Sequence, residues 1–130
     1  MIRIMNNKSI VLLLVLCVAF VGCANDHEHR KVGKESSEFL AVAGMLKHLR
    51  AEGAGRALAD NGAPGLGGAR KAALLAALQQ LDEAETIELL AVDEFGPQVY
   101  RATFQINGEQ NSSMLLVCPE GKKFYWAGKN

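Results

Sequence analysis

The histidines and carboxylates near the amino terminus are the residues of this sequence whose types could bind a metal. They stand together as Asp26-His27-Glu28-His29, and imidazole and carboxylate groups are ligands for zinc and copper. A functional metal site also needs surrounding packed side chains that hold the ligands in place. These four residues lie in a polar, charged segment typical of a solvated tether. We therefore predict neither a metal nor any other cofactor.

The glycine-rich segment Gly65-Leu66-Gly67-Gly68-Ala69-Arg70-Lys71 precedes a predicted helix. Such segments at helix N-termini bind phosphate groups through their backbone amides. This one lacks the phosphate-loop spacing and the Ser or Thr after its lysine, and no strand is predicted before it. The segment is therefore interpreted as a loop between two helices.

Cys118 and His48 are the residues that could pair as a nucleophile and its base, if the fold brought them together. Cys118 ends the apolar run Met114–Cys118, which predicts a buried thiol that packs as a small apolar side chain. The chain has no Gly-x-Ser-x-Gly motif of the hydrolases. The carboxylates Asp82, Glu83, Glu85 and Glu88 are typical of a solvated face. No catalytic residue is predicted, and the protein is expected not to be an enzyme.

The aromatic run near the carboxyl terminus is the best candidate for an interaction surface. On a strand, Phe124 and Trp126 face one side and Tyr125 faces the other, and one of the two sides is expected to be core. Lys122 and Lys123 come directly before the run. Because aromatic residues flanked by polar groups dominate many binding interfaces, these five residues are predicted to form a contact surface.

The first 22 residues have the pattern of a secretory signal. Arg3 and Lys8 are followed by the apolar run Ile10–Val21 and then by the small residue Gly22. The run is shorter than the roughly 20 apolar residues that a membrane-spanning helix needs. The alternative is a short membrane anchor that stays uncut.

Phe20-Val21-Gly22-Cys23 resembles the lipobox of bacterial lipoproteins. Gly22 and Cys23 match the usual pattern, and Phe20 departs from the usual Leu. The resemblance covers residues 1–23 and implies cleavage before Cys23, with palmitate-type acyl chains on that cysteine. Two or more chains hold a protein firmly at a membrane. The resemblance further implies a periplasm-facing cell-envelope lipoprotein. Ala24 after the cysteine favours the outer membrane if the host is Gram-negative.

Removal of the predicted signal changes the composition of the chain. It leaves 130 − 22 = 108 residues with 14 − 2 = 12 basic and 14 acidic side chains, a net charge of −2. Nucleic-acid binding needs a basic surface, so no nucleic-acid partner is predicted. Cys17 leaves with the signal and Cys23 is lipidated, so Cys118 alone cannot form an internal disulfide. The remaining length suits one small domain.

The elements predicted after a polar tether over residues 23–35 form a single domain over residues 36–130. A first helix begins after Ser36-Ser37, which can cap it, and has an apolar face made of Phe39, Val42, Leu46 and Leu49. A short helical turn lies around Leu58, and a second helix covers about 69–81.

Four strands are predicted after the helices, over residues 86–94, 99–106, 112–118 and 123–127, with a hairpin turn at Asn107-Gly108. This order predicts an α+β fold in which N-terminal helices pack on a four-stranded antiparallel β-meander. The helices should cover the sheet face that carries Tyr100, Phe104 and Ile106. The order of elements resembles that of cystatin-like and NTF2-like folds, with no matching motif.

The sequence thus predicts a membrane-tethered, non-catalytic domain that binds another envelope protein or a small apolar ligand. One alternative is a small enzyme or ligand-binding protein of the NTF2-like kind, with a pocket between helices and sheet. The other is a cystatin-like protease inhibitor.

Overall fold

The computed structural model describes residues 30–130. The predicted signal, Cys23 and the segment Asp26–His29 lie outside the described residues. Within them, three α-helices pack on one five-stranded sheet, so the predicted α+β class is confirmed. No helix in the described part of the chain is long and apolar enough to cross a membrane.

The helices are α1 (Ser37–Glu52), α2 (Ala54–Asn61) and α3 (Gly68–Glu83). The Ser36 hydroxyl caps α1 by accepting a hydrogen bond from the Phe39 amide at 3.2 Å. Gly53 ends α1 with a φ of 97°, a conformation that glycine adopts without strain. The predicted helical turn around Leu58 is α2, a helix of 8 residues.

The strands are β1 (Arg30–Lys31), β2 (Ile87–Gly96), β3 (Val99–Ile106), β4 (Gln110–Val117) and β5 (Tyr125–Lys129). They lie in the sheet in chain order, and β2 to β5 pair antiparallel. The prediction of four strands is wrong by one, because β1 precedes the helices and adds to the free edge of β2. Two residues are too short a strand to leave a pattern in the sequence.

Val32 corrects the predicted domain boundary. Its side chain is 3% exposed and belongs to the core, and its amide donates to the carbonyl oxygen of Val92 at 2.8 Å. The compact unit therefore begins at Lys31 and not at residue 36. Residues 31–35, which the sequence predicts to be part of the tether, belong to this unit.

The core lies between the three helices and one face of the sheet. Tyr100 and Phe104 are buried there, and Ile106 packs against the same core while half-buried, so the predicted facing of β3 is confirmed. The largest fully buried side chains are Trp126, Phe104, Leu49, Leu74, Leu78, Leu81, Met114, Leu116, Val42 and Val92. The interior between helices and sheet is thus filled by side chains.

The turn between β3 and β4 also anchors the start of β2. Asn107 and Gly108 have φ values of 54° and 73°, as a tight hairpin of this kind requires. The side-chain oxygen Oδ1 of Asn107 accepts hydrogen bonds from the amides of Glu85 at 2.8 Å and Thr86 at 3.1 Å. The segment between α3 and β2 is thereby held against the hairpin.

Candidate functional site

A pocket of about 390 Å³ opens at one end of the domain. One wall is the first half of α1, and the other is the connection from β4 to β5, which contains a single 3-10 turn over Pro119–Gly121. The lining residues are Ser37, Glu38, Ala41, Met45, Asn61, Tyr100, Cys118, Gly121, Lys122, Lys123 and Phe124. The pocket thus combines an apolar interior with acidic, basic and hydroxyl groups.

A tyrosine and a glutamate are joined inside the pocket. The Tyr100 hydroxyl donates a hydrogen bond to Oε2 of Glu38 at 3.2 Å. Burial, followed by the carboxylates of Glu94 and Glu38, raises the pKa of Tyr100 to about 12. The hydroxyl therefore remains protonated at neutral pH and acts as a hydrogen-bond donor.

Aromatic rings form much of the apolar interior. The rings of Tyr100 and Phe124 meet edge to face, with centroids 4.9 Å apart and planes at 65°, a favourable geometry for aromatic pairs. Met45 from α1 lines the same space. The interior can therefore contact the apolar body of a ligand.

Cys118 is buried, as the apolar run around it predicts. Its side chain is 4% exposed, and its backbone amide donates to the carbonyl oxygen of Gln98 at 2.9 Å. Burial, with a smaller contribution from Glu38, raises the pKa of the thiol. Since the thiolate is the nucleophilic form, a raised pKa opposes covalent catalysis by Cys118.

His48 is engaged away from Cys118. Its Nε2 lies 3.0 Å from Oδ2 of Asp60, which also accepts from Nε of Arg56 at 3.1 Å. Burial raises the pKa of Asp60, but the hydrogen bonds and charges of His48 and Arg56 outweigh burial and lower it overall. The fold therefore does not build the cysteine–histidine pair that the sequence left open.

The fold divides the three aromatic residues of the predicted contact surface, and their role in binding stays a prediction. Phe124 and Trp126 are buried in the core, because this side of β5 packs against the helices. Tyr125 is half-buried and lies in one cross-strand row with Val117 and Val99, which is 38% exposed. The aromatic surface on the outer face of the sheet is thus limited to Tyr125 at this strand.

The two lysines of that predicted surface lie at the mouth of the pocket. Lys123 donates from Nζ to the carbonyl oxygen of Asp60 at 3.2 Å and lies 5.1 Å from the centre of the Tyr125 ring. Nζ of Lys122 is 3.5 Å from Oε1 of Glu120, and both of these side chains are well exposed. The lysines therefore border the pocket while Tyr125 lies outside it.

The remaining candidate groups stay apart from the pocket. The glycine-rich segment is a loop only as far as Gly67, which is the capping residue, and its residues from Gly68 to Lys71 form the first turn of α3. Glu83, Glu85 and Glu88 are exposed, as predicted for a solvated face. Within residues 30–130, no three His, Cys, Asp or Glu side chains converge as metal ligands would.

Sequence reasoning missed the pairing of Glu38 with Tyr100. Glu38 has the ordinary position of an acidic residue in the first turn of a helix. Tyr100 is one apolar position of an alternating strand, 62 residues further along the chain. No local pattern links residues so far apart, so the pocket follows from the packing of α1 against the sheet.

Comparisons of the chain with protein-family models, with curated proteins and with solved structures found no match. The resemblances to bacterial lipoproteins and to cystatin-like and NTF2-like folds therefore remain sequence-based predictions.

Proposed function

We propose that the chain is a lipid-anchored protein of the cell envelope whose α+β domain binds a small ligand or another envelope protein without catalysing a reaction. The pocket between α1 and the β4–β5 connection carries the binding part of this proposal. Its volume of about 390 Å³ lies in the range of small-molecule sites, roughly 300–1,000 Å³.

The anchor is supported by the lipobox-like residues and by the position of the folded domain. Arg30, where β1 begins, is seven positions after Cys23 in the chain (30 − 23 = 7). A fully extended chain of this length spans at most about 25 Å. Lipid on Cys23 would therefore hold the domain close to the bilayer surface.

Binding is favoured over catalysis by the protonation states of the pocket groups. The ordinary pKa values of a tyrosine and a cysteine already lie above 7, and burial raises those of Tyr100 and Cys118 further, so both groups resist ionisation. A neutral hydroxyl and a neutral thiol are poor nucleophiles and poor bases. The same groups, with the Glu38 carboxylate, are well suited to orient a bound molecule.

An NTF2-like pocket protein remains the second candidate, because Glu38 and Tyr100 converge in a pocket. The filled interior between helices and sheet opposes the enzyme version, which needs its cavity there. Turnover of a ligand that binds the pocket would favour that version. Tight binding to a cysteine protease would instead favour the cystatin-like inhibitor.

The anchor is tested by the substitution Cys23→Ala in a bacterial host that processes lipoproteins. The native chain should incorporate labelled palmitate, stay with the membrane fraction and accumulate as a precursor under globomycin. The variant should lose the label and the globomycin response, because both depend on the cysteine. A Cys17→Ala variant is the matched control and should behave as the native chain. Unchanged labelling of Cys23→Ala would contradict the proposal.

A further inference from the structure

The lining of the pocket contains one acidic side chain, Glu38, which is half-buried. The Tyr100 hydroxyl holds the Glu38 carboxylate at 3.2 Å inside the lining. A carboxylate has about four lone-pair positions on its two oxygens, so it can accept hydrogen bonds from several donors at once. An ammonium group is the donor that gains most there, since hydrogen bonds between charged groups are the stronger ones.

Two aromatic rings border the same space. Tyr100 and Phe124 both line the pocket, with their ring planes at 65° to each other. The face of an aromatic ring attracts a cation placed within about 6 Å of its centre. A cation next to Glu38 would thus also have aromatic carbon nearby, with Met45 as a further apolar contact.

The lysines at the mouth are directed towards other groups. The ammonium of Lys122 is near Glu120, and that of Lys123 is bonded to the Asp60 carbonyl and placed by the Tyr125 ring. The carboxylates of Glu94 and Glu38 both lie close enough to the Tyr100 hydroxyl to contribute, after burial, to its raised pKa of about 12. Glu38 is the acidic residue in the lining of the pocket.

We propose that this pocket binds a small organic ammonium ion with a compact apolar body, whose charged group contacts Glu38 and whose body packs on Tyr100, Phe124 and Met45. This inference rests on the proposed binding function and names the class of ligand for that same pocket.

Calorimetric titration of the full chain in a nonionic detergent tests the charge preference. The probes are phenethylammonium, its neutral analogue 2-phenylethanol and the anion 3-phenylpropionate. The ammonium should bind at least about tenfold more tightly than the alcohol, because one charge-assisted hydrogen bond contributes about that factor. Equal affinities, tighter binding of the anion, or no binding of the ammonium would overturn the inference.

The substitution Glu38→Gln tests the residue. Glutamine keeps an oxygen that accepts from Tyr100 and removes the charge, so the domain should fold while the affinity for phenethylammonium falls about tenfold. Glu35→Gln is the matched control: it removes the same charge from an exposed position outside the pocket. Equal effects of the two substitutions would show that net charge and not the site determines binding, which contradicts the inference.

Failure of this inference is distinguishable from failure of the proposed function. A chain that is lipidated on Cys23 but binds no ammonium ion overturns the ligand class alone. A chain that binds the ion at Glu38 but is not lipidated overturns the anchor and leaves the ligand class intact.

Discussion

Among single residues, Arg50 makes the most extensive set of hydrogen bonds to another element. Its Nη1 donates to the carbonyl oxygens of Leu81 at 3.0 Å, Asp82 at 3.0 Å and Ala84 at 2.7 Å, and its Nη2 donates to that of Glu85 at 3.3 Å. The last carbonyls of a helix lack partners within the helix and carry partial negative charge. Arg50, at the end of α1, therefore caps the C-terminus of α3, where the capping position is occupied by Ala84 and not by a glycine.

The substitution Arg50→Met should lower the free energy of unfolding by about 2–4 kcal/mol, since it removes several charged hydrogen bonds to partly buried carbonyls. Chemical denaturation monitored by circular dichroism measures the change. Lys47→Met, at an exposed position of the same helix, is the control and should change stability by less than about 0.5 kcal/mol. Similar losses in both variants would show that the cap is not what stabilises this junction.

Tyr100 should make stability sensitive to alkaline pH. A tyrosine pKa raised from 10.0 to about 12 means that the folded state retains a proton that the unfolded state loses in between. The resulting stability is complete below pH 10 and is lost as the pH rises through about 12. Tyr100→Phe removes this dependence, so its stability relative to the native chain should improve between pH 10 and 12 in denaturation experiments. A constant difference across that range would contradict the raised pKa.

At the scale of elements, the alternation of side chains along β3 determines which of its residues lie in the core. Its alternation places Tyr100, Ala102 and Phe104 under the helices and Thr103 on the opposite face. Side chains from outside the helix determine where α3 ends. Arg50 donates hydrogen bonds to carbonyl oxygens at the end of α3, and the Asn107 side chain accepts hydrogen bonds from the backbone amides that follow. Neither contact leaves a local signal in the sequence, because both partners lie far away along the chain.

Phe104→Ala should destabilise the domain by about 3–5 kcal/mol, as expected for loss of a fully buried aromatic ring in a packed core. Thermal and chemical unfolding measure the change. Thr103→Ala is the matched control on the neighbouring, outward-facing position of the same strand, and its effect should stay within about 1 kcal/mol. A larger effect at residue 103 than at 104 would mean that the strand faces the other way.

At the scale of the whole molecule, both edges of the sheet are partly covered by segments outside the β2–β5 hairpins. β1 lies beside β2, and at the other edge the amide of Ala63 donates to the carbonyl oxygen of Trp126 at 2.8 Å. Covered edges protect a sheet against pairing with other chains. Both segments lie next to helices, so the sheet and the helical layer depend on each other.

A chain that begins at residue 36 should be less stable than one that begins at residue 30. It lacks β1 and the buried Val32, and burial of a valine side chain contributes about 1.5–3 kcal/mol. Denaturation of the two truncated chains measures the loss, and a Val32→Ala variant of the longer chain should reproduce part of it. Equal stability of the two chains would restore the predicted boundary at residue 36.

The sequence by itself determined the α+β class, the helix that begins after Ser36, the facing of β3 and the burial of Cys118, because these follow from local periodicity and capping. The lipid anchor at Cys23 is likewise a prediction from sequence alone. Tertiary structure decided what depends on distant contacts: that Val32 belongs to the core, that Trp126 is buried and Tyr125 is not, and that Glu38 meets Tyr100. The physical reason is that a strand pattern shows two faces without showing which one the helices cover, and hydrogen bonds between distant residues leave no trace in local spacing.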